Sequence, residues 1–428
     1  MKALLLPSYL GSGFGHIGRC LALAGELRAR GWQCHFAVAG PHAEKVRRTG
    51  YHVYEPRRPF RPKPKTKNGP AYTILSDMNY QLVRDRFDSP RVVRASVREA
   101  LRLVKRLQPD VLIGDTWPLT HIIGRQSGIP VVQITKSIVH PACPRLIWWE
   151  ETPPVVVSPD VRDVFNPVLR DWGLPPIERA EDLLAGDLLL IPSIPELDPV
   201  QAGFPSTRYV GALIRSDPLS SEWKVWLERL GRGRPLVYVT LGGGADPVSG
   251  LDLFSVVVQA LGDFAANIVI STGAKFNPAD LATPPENMIV KKWVPGPAMI
   301  ARSDLVISHG GYGTMMESVL HGVPSVIIPF HSEQEANGRR LEASGVGIVL
   351  RHSDGPYELV RMPWRRGTFT MLVAALPTLT PARLRDAVER ILNEEQFRCN
   401  ADRLKQDLAK YGGPSLAADL VEELVQRW

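Results

Sequence analysis

No apolar run in the chain approaches the roughly 18 to 20 residues that a membrane-spanning helix needs, which argues against any segment that crosses a bilayer. The apolar start, Ala3 to Leu6, is interrupted by Pro7, Gly11, Gly13 and Gly15 before a signal-peptide core of ~7 to 15 residues can form, so it reads as a first buried strand. Cysteine is scarce: Cys20, Cys34, Cys143 and Cys399 stand far apart with no C-x-x-C pair. Neither a disulfide framework nor a zinc site is expected, and a reduced, cytoplasmic protein is. The histidines form no H-E-x-x-H or other metal spacing, and the D-x-D motif of metal-dependent transferases is absent. No metal and no cofactor are expected. There is no tandem repeat, and the only biased tract is short.

That tract is basic. The net charge of +7 would suit a nucleic acid or an anionic surface, yet much of the excess lies in Arg57 to Lys67, RRPFRPKPKTK. Proline alternating with Lys and Arg favours an extended, solvated connection. A local loop of this kind does not make a nucleic-acid partner, and it leaves a peripheral membrane contact open.

A chain of 428 residues has room for two or three domains, and two is the simpler reading. Short β-branched runs alternate with amphipathic stretches: Lys2 to Leu6, Cys34 to Val38, Asp110 to Gly114 and Val131 to Ile134 as buried strands, with helices near Gly15 to Arg30 and Pro90 to Leu107. The second half repeats the pattern with strands at Pro235 to Leu241, Asn267 to Thr272, Met288 to Trp293, Leu305 to Ser308 and Ser325 to Pro329. The fold class is α/β with two parallel sheets. A Pro-, Gly- and Ser-rich stretch from Pro192 to Pro218, followed by the polar Ser220 to Arg229, places a linker at 211–232. It separates an N-terminal domain, 1–210, from a C-terminal one, 233–410. From Pro381 the tail is helical, broken by Gly412, Gly413 and Pro414, so that 411–428 forms a last short helix.

The most informative segment runs from Ile307 to Asn337, ISHGGYGTMMESVLHGVPSVIIPFHSEQEAN. A strand enters His309-Gly310-Gly311-Tyr312-Gly313-Thr314, and a helix follows until Gly322 and Pro324. Glycines let backbone N–H groups approach an oxyanion, and a helix N-terminus favours negative charge, so a diphosphate suits the place. Thr314-Met315-Met316-Glu317 also spells the S/T-x-x-E capping box, which needs no ligand. Glu333 and Gln334 suit a polyhydroxylated sugar, because a carboxylate accepts two hydroxyls and an amide both donates and accepts. Upstream, the strand ending Tyr238-Val239-Thr240-Leu241 leads into Gly242-Gly243-Gly244, where open parallel sheets bind ligands.

In the first half, GSGFGHIGR (Gly11 to Arg19) joins the first strand to the first helix. The loop reads as lacking G-x-G-x-x-G spacing, and no acidic residue follows at the right distance in a matching strand, so a dinucleotide site is not favoured. The loop presents His16. Asp115 closes the strand from Asp110, which puts both at one edge of the sheet; the alternative for Asp115 is a helix N-cap. Trp148, Trp149 and His140 either line an aromatic acceptor pocket or pack in the core.

The donor-like segment resembles the signature of the UDP-glycosyltransferase superfamily of GT-B fold, family 1 type, including bacterial macrolide-type glucosyltransferases. The resemblance implies two Rossmann-like domains across a cleft, the first holding the acceptor and the second the nucleotide sugar, with the last helix crossing back. It makes Trp293, followed by Val294, the platform for uracil, and Glu317 the acceptor of the ribose diol. His309, Gly311, Gly313 and Thr314 would hold the diphosphate, Glu333 and Gln334 the sugar, and Gly242 and Gly243 would face the donor. Asn337 matches a recurrent position without a stated role, and Gly296 stands where plant members carry Gln. His16 would be the catalytic base and Asp115 its partner. The implied activity is inverting, metal-independent transfer of a hexose such as glucose from a UDP-sugar to a small hydrophobic or aromatic acceptor, or to a lipid. A UDP-sugar epimerase and a non-catalytic nucleotide-sugar-binding protein are the rival readings.

Overall fold

The computed structural model describes residues 1–10, 13–57, 70–74, 77–143, 156–200, 203–215, 218–231, 233–242, 250–273, 276–281 and 283–428. Gly243, Trp148, Trp149 and the basic tract beyond Arg57 lie outside the described residues.

The first half supplies β1 (Lys2–Pro7), β2 (Gln33–Ala37), β3 (His52–Tyr54), β4 (Tyr72–Ile74), β5 (Val111–Asp115), β6 (Val131–Ile134), β7 (Leu188–Ile191) and β8 (Thr207–Tyr209). The second half supplies β9 (Leu236–Thr240), β10 (Asn267–Ser271), β11 (Met288–Lys291), β12 (Leu305–Ser308), β13 (Ser325–Ile327), β14 (Gly347–Val349), β15 (Tyr357–Trp364) and β16 (Gly367–Ala374). Strands such as Val111–Asp115 and Leu236–Thr240 are buried along their whole length. Helices cover both faces of their sheets, so the strands read as continuous apolar runs.

The first sheet has the order β3-β2-β1-β5-β6-β7-β8 and the second β11-β10-β9-β12-β13-β14. All their neighbours are parallel. In each, the chain order reverses beside the strand that starts the half. β1 lies between β2 and β5, with Pro7 opposite Asp115; β9 lies between β10 and β12, with Thr240 opposite Ser308. These reversals open a crevice at the carboxyl ends of the strands, which is where such sheets bind ligands.

A third sheet was not expected from the sequence. The β15–β16 hairpin turns through Arg365 and Arg366, and β16 pairs antiparallel with β4, Leu372 opposite Ile74 and Ala374 opposite Tyr72. Pro363 is tolerated because β15 is an edge strand. A hairpin from the second half thus docks on the first: Phe369 packs edge-on to Tyr80 at 5.2 Å and belongs to the core of the first sheet. Thr73 N also donates to Phe330 O at 3.0 Å, tying β4 to the loop before the helix Ser332–Ala343.

The helical tail consists of Pro381–Asn393, Glu395–Ala409 and Pro414–Arg427. The second break falls at Gly412-Gly413, as the sequence indicates; the first, at Glu394, carries no Gly or Pro to announce it. Gly413 adopts φ +57° while its N–H reaches Val210 O at 2.7 Å. The last helix lies against the helix Gly15–Ala29, burying Ala417, Ala418 and Val421 in the core of the first sheet. Arg30 reaches Asp419 at 2.5 Å and Glu422 at 3.0 Å.

Candidate functional site

His16 stands in the first turn of the helix Gly15–Ala29, and Asp115 ends β5. The crossover of β1 and β5 brings them together, His16 Nδ1 lying 2.7 Å from Asp115 Oδ1. Gly114 is required beside them, since a Cβ there would lie 2.3 Å from Gln133 Oε1. The carboxylate selects the tautomer with its proton on Nδ1, which leaves Nε2 as an acceptor. Gly13, Gly15 and Gly18 do stand at G-x-G-x-x-G spacing, but the second strand ends at Ala37 without a carboxylate. The loop serves His16 instead.

Arg19, missed in the sequence, completes the group. Its Nε and Nη2 donate to Asp115 Oδ2 and Oδ1, each at 2.8 Å, and Nη2 is 3.0 Å from His16 Nδ1. Both Arg19 and Asp115 are buried. Burial pushes the Asp115 carboxyl up, but the Arg19 and His16 charges outweigh it and hold it below the usual range. Its signal was available: three residues after His16 on a helix puts Arg19 on the same face.

Across the cleft, β12 leads into His309, Gly310 and Gly311 and then the helix Tyr312–His321. Gly310 has φ +80°, and a Cβ on Gly311 would lie 2.5 Å from His309 Nε2; a Cβ on Gly242 would lie 2.9 Å from His309 Cε1. The glycines therefore wrap the His309 ring. Burial pulls the His309 pKa down to about 4, and its Nδ1 is buried without a partner among the described residues. Asn337 Nδ2 donates to Gly310 O at 2.9 Å, so its role is to brace this turn.

The capping-box reading fails on position. Gly311 is the N-cap, with no side-chain cap bond, which makes Thr314 the third helical residue and Glu317 the sixth. The first backbone bond is Met315 N to Gly311 O at 3.0 Å, so the amides of Tyr312, Gly313 and Thr314 point out of the helix end. Glu317 is half-buried without an ion pair among the described residues, and burial pushes its carboxyl up to about 7.

Trp293 is 60% exposed, its ring held edge-on by Trp223 at 5.4 Å. Val294 has its side chain buried with Tyr238, Met299 and Ile300, so only its backbone could meet a ligand, a correction to its side chain's place alone. Gln334 is another in part, for its Oε1 is taken by Phe330 N at 2.8 Å. His140 packs: its Nε2 meets Thr207 Oγ1 at 2.9 Å, and Ala142 N donates to its Nδ1 at 3.0 Å.

Glu333 forms an ion pair with Lys136, which follows β6 at the carboxyl edge of the first sheet. Burial pushes the Glu333 carboxyl up, but Lys136 and His331 more than reverse this and hold it well below the usual range. Arg19 Cζ lies 5.5 Å from the centre of the Tyr312 ring and Lys136 pairs with Glu333, so the two crevices face each other. Farther in, buried Asp198 accepts from Ser137 Oγ at 2.5 Å and Tyr312 Oη at 3.3 Å and pairs with Arg340, a second tie between the halves. Lys136 escaped the sequence reading because one Lys in a loop has no distinguishing pattern. Among the described residues, no group of three or more His, Cys, Asp or Glu is placed to hold a metal ion, and no helix is long and apolar enough to cross a membrane.

Residues 255–362 match the family model of the erythromycin biosynthesis protein CIII-like C-terminal domain. The chain is 27% identical over 442 residues to the 4'-demethylrebeccamycin synthase of Lentzea aerocolonigenes, covering 96% of this chain and 97% of that protein. It is 27% identical over 357 residues to a PGL/p-HBAD biosynthesis rhamnosyltransferase of Mycobacterium bovis, covering 78% of this chain and 74% of the relative. The crystal structure of CalG4, the calicheamicin glycosyltransferase, shares the fold with a TM-score of 0.72 at 22% identity, over 100% of this chain and 98% of that one.

Proposed function

We infer that this chain is a natural-product glycosyltransferase, in line with its relatives and its GT-B fold, and that it moves a hexose from a UDP-sugar to a hydroxyl of a small hydrophobic or aromatic acceptor, with inversion. The observation that carries the reading is the meeting of two crevices. His16, oriented by Asp115, stands on one side; the open helix end at Tyr312 and the carboxylate of Glu333 stand on the other. His16 Nε2 takes the acceptor proton while the oxygen attacks the anomeric carbon. The departing diphosphate is met by the amides of Tyr312, Gly313 and Thr314 and by the Thr314 hydroxyl. An α-linked donor then yields a β-glycoside. Trp293 stacks the base, and Glu317 accepts from the ribose diol.

A second donor is favoured by a specific observation. With the Gln334 carbonyl engaged by Phe330 N, fewer groups are free for sugar hydroxyls, and one relative is named for rhamnose. A thymidine diphosphate deoxysugar is therefore the competing reading. The test is to offer the purified protein UDP-glucose and dTDP-rhamnose separately, each with phenolic, macrolide, sterol and lipid acceptors, and to read product mass. Glucoside formation supports the first reading and rhamnoside alone the second. Conversion of UDP-glucose without any acceptor would replace both with an epimerase.

A further inference from the structure

A diphosphate carries two negative charges, and the positive groups near the helix end at Tyr312 are few. Arg19 has both forks on Asp115. His309, with its pKa pulled down to about 4, is neutral at pH 7. Lys136 remains. Its ammonium is 5.2 Å from the centre of the Tyr312 ring, the first residue of that helix, and its side chain is only 7% exposed. A buried ammonium requires a counter-charge, and Glu333 is that charge, although its own side chain remains 30% exposed. Lys136 also has a flexible stem and rotatable donors, which a change of partner needs.

We propose that Lys136 is a diphosphate-binding residue that exchanges partners, leaving its pair with Glu333 for the diphosphate when a donor binds, and that the exchange releases Glu333 to the sugar hydroxyls. The inference rests on the donor site assigned above. It explains why a buried cation from the acceptor half sits on the carboxylate that the donor needs: the pair keeps both groups charged and in place until the diphosphate arrives. It also links the halves, because the diphosphate, held by the second half, then pulls on β6 of the first.

Glu333 and the diphosphate compete for one ammonium, and this gives the test an unusual sign. Binding of UDP and of uridine is measured by calorimetry on the parent protein, K136M, K136R and E333Q, with thermal melts alongside. K136M keeps the packing on Tyr312 and should weaken UDP about 10- to 100-fold, the loss of one charged hydrogen bond, with uridine changed less than about twofold. K136R should keep most of the UDP affinity. E333Q should bind UDP about 3- to 10-fold more tightly than the parent, since the competitor is gone, while sugar transfer falls. UDP bound equally well by the parent and K136M would overturn the exchange and leave the donor site standing. If K136M does not fold, E333Q decides: UDP affinity unchanged or weakened overturns the proposal. Failure of the parent to bind UDP or dTDP at all would overturn the donor site itself.

Discussion

His16 Nδ1 and Asp115 Oδ1 are 2.7 Å apart, and the same carboxylate also holds both forks of the buried Arg19. The pair is thus a three-membered group whose resting charge is balanced when His16 is neutral. Proton abstraction places a positive imidazolium beside a guanidinium, which makes Asp115 all the more necessary. His16→Ala should leave a folded protein and reduce transfer by ~10² to 10⁴-fold, with UDP affinity within about threefold. Asp115→Asn should do more than slow the reaction. It strands Arg19 in the interior without a counter-charge, a loss of about 3 to 5 kcal/mol, so its melting temperature should fall well below that of His16→Ala. Equal melting temperatures for the two variants would show that Arg19 finds another partner.

In the proposed donor site the exposed face of Trp293 and the open amides beyond Gly311 divide the nucleotide between them. Trp293→Ala should weaken UDP and uridine alike, by ~1 to 3 kcal/mol, the usual loss of a stacked base. Thr314→Val should weaken UDP and spare uridine, because the hydroxyl meets only phosphate. Titration calorimetry with both ligands separates the two. Uridine affinity untouched by Trp293→Ala would remove the stacking platform.

Much of this site was legible because the chemistry sits in short contiguous strings. His309 to Thr314 and the pair Glu333-Gln334 belong to one segment, and parallel strands announce themselves as apolar runs. The rest depended on distant encounters. Lys136 meets Glu333, and Arg340 meets Asp198, only because the two halves face each other in the folded chain. Nothing in the β15–β16 hairpin sequence says that Phe369 completes a core built by the other half. Nor does adjacency to Trp293 in sequence say that the Val294 side chain is buried with Tyr238, Met299 and Ile300.

Transfer should persist in excess chelator. On the proposed donor site the diphosphate meets the open amides of Tyr312, Gly313 and Thr314, the helix dipole and, on the exchange argued above, Lys136, which together supply the positive field that a divalent ion supplies elsewhere. Turnover is measured with and without EDTA, then with added magnesium or manganese. A tenfold or larger loss in chelator, restored by either ion, would sink this expectation.

Glu317 makes the donor site sensitive to pH in a way that identifies its ligand. Its carboxyl, half-buried and without a cation among the described residues, is pushed up to about 7 by burial, yet it must be ionised to accept both ribose hydroxyls. Binding that needs the carboxylate weakens as pH falls through that value, so UDP-glucose should bind roughly tenfold less tightly at pH 6 than at pH 8. A 2′-deoxy donor, which lacks one of the hydroxyls, should bind more weakly at pH 8 by ~1 to 3 kcal/mol and show a shallower profile. Folding gives an independent check with its own sign. A carboxyl whose folded pKa is raised favours the fold fully below its unfolded value, and that contribution is lost as pH rises through about 7. Glu317→Gln, neutral throughout, should therefore gain in stability over the parent at pH 8 and lose that gain below the ordinary carboxylate range. It should also flatten the pH dependence of UDP-glucose binding. A flat profile in the parent, with equal affinity for the ribose and 2′-deoxyribose donors, would leave Glu317 without a ligand and shift the balance to the thymidine diphosphate reading.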